Sequence, residues 1–372
     1  MKNINMGLDV KGISDWGLGL NSPLIISGPC SAESEEQVIN TAKEIKALGK
    51  VNVLRAGIWK PRTRPGSFEG VGEIGLEWLK SAKKETGMLI STEVANGKHV
   101  EKCLEAGVDI LWIGARTTVN PFSIQEVADA LKGVDIPVMV KNPINPDLEL
   151  WIGGLERINQ AGIKRLGAIH RGFSTFEKTP FRNLPKWELA IELKRRYPNL
   201  DIICDPSHIS GNRELIPYVC QKAMDLDMSG IMIESHINPF IALSDAAQQV
   251  KPSSLDTILT NLNFRKSSSD NLEFDNKLES LRKEIDELDQ SILENLSSRM
   301  KISNQIGEYK KKNDVTILQV NRWEEVLNKR IRLGEAMKLD KSFVEDVIKL
   351  IHKESIRNQN IIMNGDGDMV GK

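Results

Sequence analysis

Eight short apolar runs, at residues 24–27, 51–54, 88–91, 110–113, 138–140, 165–169, 202–204 and 231–233, constrain this 372-residue chain more than any other feature. Each is short enough for a strand and is followed by a helix-length segment, and strands alternating with helices predict parallel βαβ units. Eight such units in about 240 residues predict a (β/α)8 TIM barrel, an α/β fold whose chemistry sits at the C-terminal ends of its strands. Nearly every residue suited to holding a phosphate, a carboxylate or a metal follows one of these runs: Cys30, Arg55 with Lys60 and Arg62, Glu93, Arg116, Lys141, Arg171, Asp205 with His208, and Glu234.

The chain exceeds one barrel by about a hundred residues, so a second domain is expected. Charge is balanced, with 50 Lys and Arg against 51 Asp and Glu, which argues against a nucleic-acid partner. Residues 1–21 lack a basic segment followed by an apolar core, and no apolar run is long enough to cross a bilayer. A cytoplasmic protein without a membrane partner is expected. Cys30, Cys103, Cys204 and Cys220 show no zinc-finger spacing, and a reducing compartment disfavours disulfides. Cys103 and Cys220 fall in helix-like stretches and read as core.

The organisation changes near Lys251. The expected domains are a barrel over residues 1–262, a linker over 263–274 around the polar cluster 266–271, an all-α domain over 275–361 and a disordered Gly- and Asp-rich tail over 362–372. Leu278, Leu281, Ile285, Leu288, Ile292, Leu296, Arg299 and Ile306 follow three-and-four spacing, one stripe along a helix. Only Gly307 interrupts residues 273–309, so a helix of about 35–40 residues would run about 55–60 Å. That is too long to bury its stripe against one small domain. Further helical segments at 320–336 and 341–358 complete a three-helix pattern best satisfied by a second copy, so a homodimer, or a higher assembly, is expected through this domain.

Cys30, His208, Glu234 and Asp245 follow strands one, seven and eight, and closing a barrel makes strand one the neighbour of strand eight. A thiolate, an imidazole and two carboxylates suit one borderline divalent ion per barrel, Mn, Fe, Co or Zn, better than Mg or Ca. Singly, each reads more simply as a core cysteine or a hydrogen-bonded structural histidine; their shared sector makes them a site. Arg55, Lys60, Arg62, Arg116, Lys141 and Arg171 occupy the remaining sector and would repel one another unless anions filled it, which suggests two phosphate- or carboxylate-bearing ligands. Pairing with helix carboxylates is the ordinary alternative, but it explains poorly why these cations gather at strand ends.

On the long helix Arg299 occupies a stripe position and Lys310 lies eleven residues on, about 16 Å away on nearly the same face, a gap two long side chains can close on a small dianion. Arg282 precedes Arg299 by seventeen residues, about 25 Å, and lies on another face. If all three bind one ligand, Arg282 must come from a partner chain. The ordinary alternative is that each is a solvated surface cation.

The motifs Gly28-Pro29-Cys30-Ser31, Arg55-Ala56-Gly57, Lys60-Pro61-Arg62-Thr63, Gly114-Ala115-Arg116, Lys141-Asn142-Pro143, His170-Arg171-Gly172, Asp205-Pro206-Ser207-His208 and Ile233-Glu234-Ser235-His236 resemble the motif series of the 3-deoxy-D-arabino-heptulosonate 7-phosphate synthases, in their shorter microbial form, over residues 20–255. The resemblance implies a metal on Cys30, His208, Glu234 and Asp245, and phosphoenolpyruvate on Arg55, Lys60, Arg116, Lys141 and Arg171. It places the phosphate of erythrose 4-phosphate on Arg62 and Thr63, with Lys60 and His170 as proton handlers. The sister 3-deoxy-D-manno-octulosonate 8-phosphate synthases typically carry Ala-Asn where this chain has Pro61-Arg62, which favours erythrose 4-phosphate over arabinose 5-phosphate.

Residues 281–289, Arg299, Gly307 with Lys310, Arg322, Glu354-Ser355 and Gln359 resemble the all-helical chorismate mutases over about 275–360. That resemblance implies Arg282, Arg299 and Arg322 on the carboxylates of chorismate, Lys310 and Gln359 on its ether oxygen, and Ser355 on the ring. Arg299, Lys310 and Gln359 then carry the rearrangement to prephenate. Gln319 and Trp323 depart from the acidic residues of many relatives, in what reads as the loop between the first two helices.

Three readings follow: a bifunctional shikimate-pathway enzyme, an active synthase whose helical domain only senses an end product and dimerises, or an octulosonate synthase barrel. Retention of the ether-oxygen residues favours the first. Its helical domain is also expected to mediate feedback, with prephenate or chorismate near Arg299 and Lys310 drawing the helical dimer against the barrels.

Overall fold

The computed structural model describes residues 7–20, 22–60, 66–176, 179–265 and 271–365. The chain divides into two compact units, Met1–Ser267 and Ser268–Lys372, each built on a different periodicity.

In the first unit, eight strands form a closed, all-parallel barrel in sequence order. They are β1 (Leu24–Gly28), β2 (Val53–Arg55), β3 (Leu89–Val94), β4 (Ile110–Ile113), β5 (Val138–Lys141), β6 (Leu166–His170), β7 (Ile202–Cys204) and β8 (Gly230–Glu234). The helices around them are α1 (Glu35–Ala47), α2 (Ile74–Thr86), α3 (Gly97–Glu105), α4 (Ala115–Thr118), α5 (Pro121–Ala130), α6 (Leu148–Gln160), α7 (Trp187–Arg196), α8 (Pro206–Ser210), α9 (Ile216–Asp225) and α10 (Pro252–Asn261).

Both faces of each strand are covered, which is why the strands read as unbroken apolar runs rather than alternating ones. Ile25, Leu54, Ile90, Leu111, Val140, Ala168, Ile202 and Ile231 face the helix layer. Leu24, Ile26, Val53, Ile110, Trp112, Met139, Ile169, Ile203 and Met232 fill the interior. Each such side chain contributes about 1.5–3 kcal/mol when fully buried. The β1–β8 register sets Gly28 opposite Glu234. Gly28 has φ +150°, and a Cβ there would stand 2.0 Å from the Arg55 carbonyl oxygen, so only glycine lets the end of β1 pass this close to β2.

No alternation marks the opening segment, yet it closes the N-terminal end of the barrel. Asp201 accepts the Ile13 amide at 2.6 Å, and Ile13, Trp16 and Leu20 join the interior cluster.

The second unit has three helices: α11 (Leu272–Lys312), α12 (Val320–Ala336) and α13 (Lys341–Asn364). The Asn271 side chain accepts from the amides of Glu273 and Phe274, so α11 begins inside the stretch expected to be linker. It runs for 41 residues, about 60 Å. Helix α13 packs on both α11 and α12 and continues past residue 358, where the spacing predicted its end. At Gly307 an added Cβ would come 3.1 Å from Gln359 Cγ, so the glycine permits α11 and α13 their close contact. Leu281, Ile285, Leu288 and Ile292 remain 43–63% exposed, an apolar stripe with no cover inside this unit. Residues 266–270 of the expected linker and 366–372 of the expected tail lie outside the described residues.

Candidate active sites

The period-two alternation of the strands decides which charged side chains reach the barrel mouth. Arg55 shares the inward phase of Val53, Lys141 that of Met139 and Glu234 that of Met232, while Arg171 and Asp205 continue the phases of Ile169 and Ile203. His170 shares the outward phase of Ala168. It is completely buried, with its ring 6.3 Å from Trp151, 5.9 Å from Phe173 and 5.1 Å from Trp187. Burial, aided by the Arg171 charge, pushes its pKa down to about 3. The expected role of His170 as a proton handler is therefore corrected: it is a neutral ring packed in the helix–sheet layer, on the wrong face of β6.

Trp112 forms the floor. The Arg55 guanidinium lies 4.8 Å and the Lys141 ammonium 5.9 Å from its ring, and its indole N–H donates to Glu93 at 3.2 Å. Arg55 Nη1 stands 3.3 Å from Glu234 Oε1, and Lys141 Nζ 2.8 Å from Asp205 Oδ2. Buried Arg171 donates to Asn183 Oδ1 at 2.8 Å, and burial, with Arg182 and Arg116 nearby, pushes it down to about 10. It stays charged at neutral pH. Arg116 is exposed in α4. Lys60 Nζ lies 3.2 Å from Cys30 Sγ, and Arg62 and Thr63 fall outside the described residues.

Repulsion among the cations is thus met in part by the protein's own carboxylates, contrary to the expectation that ligands alone must balance it. Among the described residues, six cations (Arg55, Lys60, Arg116, Lys141, Arg171 and Arg182) face four carboxylates (Glu93, Asp205, Glu234 and Asp245). The excess still favours anionic ligands.

Donor atoms of Cys30, Glu234 and Asp245 lie within 4.8 Å of one another, with Cys30 Sγ 3.4 Å from Asp245 Oδ2. The His208 Nδ1 atom borders this group, 3.8 Å from Glu234 Oε1 and 2.8 Å from Asp205 Oδ2. Glu234 Oε1 is buried with no well-aligned hydrogen-bond donor, and burial, then Glu234, push the Cys30 thiol up to about 12. A sulfur and two carboxylates converging on one point, with an imidazole beside them and one carboxylate oxygen held by an ion pair alone, fit a borderline divalent ion.

In the second unit, Arg299, Lys310, Arg322, Ser355 and Gln359 line one cavity of about 570 Å³. Arg299 Nη1 donates to Ser355 Oγ at 2.5 Å, Lys310 Nζ donates to the Ile317 carbonyl, and Gln359 Nε2 donates to Ser303 Oγ at 3.0 Å. Burial, with Arg330 nearby, lowers the Arg299 pKa, and burial lowers that of Lys310. Arg282 does not line this cavity; it is exposed beside Glu279. Gln319 caps α12 and Trp323 lies in its first turn, not in a loop, because the helix starts at Val320. The Trp323 ring stacks on His352 with centroids 3.8 Å apart. Among the polar cavity residues, Ser303, Arg330 and His352 go beyond the expected set, although Arg330 lies about two turns from Arg322 on the same side of α12.

The sequence profile of the DAHP synthetase I family matches residues 9–268. The chain belongs to the DAHP synthetase I family. The profile of chorismate mutase type II matches residues 281–360. A phospho-2-dehydro-3-deoxyheptonate aldolase of Thermotoga maritima is 35% identical over 238 residues, 64% of this chain and 68% of that one. A 2-dehydro-3-deoxyphosphooctonate aldolase of Cupriavidus taiwanensis is more distant, 28% identical over 270 residues, 65% of this chain and 89% of that one. Among solved structures, the Thermotoga maritima phospho-2-dehydro-3-deoxyheptonate aldolase (DAHP synthase) is similar at a TM-score of 0.60 and 32% identity, covering 68% of this chain and 72% of that one. A truncated form of the 3-deoxy-D-arabino-heptulosonate 7-phosphate synthase of the same organism gives 0.56 and 31%, covering 64% and 84%. The protein therefore joins a DAHP synthase domain, a transferase, to a chorismate mutase domain, an isomerase, in one bifunctional shikimate-pathway enzyme.

Several residues of this DAHP synthetase barrel carry no sequence signal strong enough to assign them. Trp112 hides inside an apolar run. Asp205 follows a strand as the ligand candidates do, but only the fold reveals its pairing with Lys141. Arg182 and Asn183 lie in a long segment between β6 and α7 with no periodicity at all.

Proposed function

We propose that phosphoenolpyruvate and erythrose 4-phosphate condense at the barrel mouth and that chorismate rearranges in the helical cavity. The observation that carries the first part is the convergence of Arg55, Lys141 and Arg171 on the same mouth as the Cys30, Glu234 and Asp245 donors. Arg171, Arg116 and Lys141, with Arg55 and Lys60, hold the carboxylate and phosphate of phosphoenolpyruvate; Arg62 and Thr63 take the phosphate of erythrose 4-phosphate. Pairing with Glu234 and Asp205 fixes Arg55 and Lys141 in place before ligand arrives, so little orientation is left to acquire on binding.

DAHP synthases are generally metal-dependent. Cys30, His208, Glu234 and Asp245 would hold one divalent ion, Mn, Fe, Co or Zn, which when bound supplies a Lewis acid at the aldehyde. C3 of phosphoenolpyruvate forms the new bond to the aldehyde carbon, and Lys60 Nζ, beside Cys30 Sγ, delivers a proton to the oxygen that becomes a hydroxyl. Water adds at C2 and inorganic phosphate leaves, so one water is consumed per phosphate released. The decisive experiment offers purified protein phosphoenolpyruvate with each aldose phosphate. Phosphate release with erythrose 4-phosphate is the expected result; release only with arabinose 5-phosphate overturns the assignment.

In the helical cavity Arg299 and Arg322 hold the carboxylates of chorismate, Lys310 and Gln359 meet its ether oxygen, and Ser355 contacts the ring. The rearrangement is intramolecular, so cationic preorganisation suffices. Arg282 is supplied by a second copy, and the exposed stripe Leu281, Ile285, Leu288 and Ile292 is the seam of that homodimer. Leu288→Glu is expected to yield a monomer in sedimentation and to lose mutase turnover, because no partner then delivers Arg282. A stable dimer of this variant would count against the seam.

The helical domain also carries feedback: prephenate bound near Arg299 and Lys310 inhibits the synthase by favouring one state of the chain over another. Because each unit is compact by itself, a chain ending near Arg265 is expected to keep synthase turnover and to lose inhibition by prephenate. Equal inhibition of the shortened and full chains would refute this.

A further inference from the structure

A two-residue segment between β6 and α7 crosses from one half of the barrel mouth to the other. The Arg182 and Asn183 amides donate to the carbonyls of Ser210 and Ile209, which fixes this segment against α8. From there the two side chains diverge. Arg182 Nη1 donates to Asp245 Oδ1 at 3.0 Å and to Gln248 Oε1 at 2.6 Å. Gln248, 1% exposed, donates in turn to Glu234 Oε2 at 2.7 Å. One guanidinium therefore touches Asp245 directly and Glu234 through a single amide.

Asn183, 4% exposed, does the equivalent on the other side. Its Oδ1 accepts from Arg171 Nη1 at 2.8 Å, and its Nδ2 donates to the His208 carbonyl at 2.6 Å. The side-chain amide thus links the Arg171 guanidinium to the backbone that carries His208.

We propose that Arg182 and Asn183 are positioning residues that hold the two halves of the synthase site in register. Arg182, through Gln248, sets the separation of the two carboxylates that face the metal position. Asn183 ties the anion-binding Arg171 to the His208 segment. Neither residue touches the reacting atoms. The inference rests on the metal and phosphoenolpyruvate reading given above. Its physical basis is general: hydrogen bonds to ligand carboxylates fix their orientation, and losing one weakens metal binding.

The test is calorimetric titration of Mn2+ onto the metal-stripped full-length protein, followed by phosphoenolpyruvate onto the Mn2+-loaded form. Arg182→Ala and Gln248→Met are each expected to weaken Mn2+ binding about 10- to 100-fold. As they interrupt one chain of contacts, the double variant should be no weaker than the worse single one. Arg182→Lys retains charge beside Asp245 on a shorter side chain without the planar fork, so it should fall between parent and Arg182→Ala; it also keeps the test open if the alanine variant does not fold. Asn183→Ala is expected to weaken phosphoenolpyruvate binding about tenfold or more, since a hydrogen bond to a charged group is lost.

Mn2+ affinities of Arg182→Lys and Gln248→Met equal to that of the parent would overturn the proposal while leaving the metal reading intact. Strict additivity in the double variant would overturn the single chain of contacts. A parent protein that binds no Mn2+ would remove the metal reading and this inference together.

Discussion

Replacing Cys30 by alanine is expected to abolish synthase turnover and to leave chorismate turnover in the same preparation unchanged. Cys30 is the one sulfur among the converging donors, and its removal leaves His208 beside Glu234 and Asp245, the two carboxylates both already engaged by cations: Arg55 on Glu234 and Arg182 on Asp245. Loss of a direct ligand should exceed the roughly 10- to 100-fold penalty of losing a supporting contact. Chelation should reproduce the loss in the parent, and added Mn2+ should reverse it in the parent but not in the variant. Metal-stripped parent protein turning over at full rate would sink the assignment.

Arg299→Ala is expected to impair the other activity selectively. Arg299 lies in the cavity with its guanidinium on Ser355, where the proposed reading puts the chorismate dianion. Arg299 is exposed in the single chain, so the loss is that of a charge-assisted hydrogen bond, about 1.5 kcal/mol at its lower end, and about 1.4 kcal/mol is tenfold in rate; kcat/KM for chorismate should fall by about tenfold or more. Synthase turnover should not change, and inhibition by prephenate should disappear with the mutase activity. Unaltered chorismate turnover would reduce the helical unit to a sensing and dimerisation module.

Much of this arrangement was legible in the sequence because it depends on period and order alone. Eight alternations define a closed barrel, closure brings β1 beside β8, and Cys30 therefore meets Glu234 across some two hundred residues. Three-and-four spacing likewise put Arg299 and Lys310 on one face of α11. What stayed hidden depends on phase and on distant partners. A strand buried on both sides does not announce which residues point inward, so His170 was placed in the mouth although Ala168 and Ile169 could have fixed its phase. The pairing of Lys141 with Asp205 joins two strand ends that no local pattern connects. Arg182 and Asn183 lie in a segment with no repeat to read, and Ser303 and His352 join the cavity only because three helices enclose it.

Trp112 gives the site an optical consequence. Its indole lies beneath two cations and donates to Glu93, so its excited state experiences a field set by the charge around it. Anionic ligands arriving over Arg55 and Lys141 weaken that field, and the emission of this ring should shift as the mouth fills. The chain has 7 tryptophans, so the contribution is isolated by difference against Trp112→Phe. With that shift, the floor of the barrel mouth would serve as a built-in fluorescent gauge of its own occupancy, readable in the intact bifunctional protein without any label.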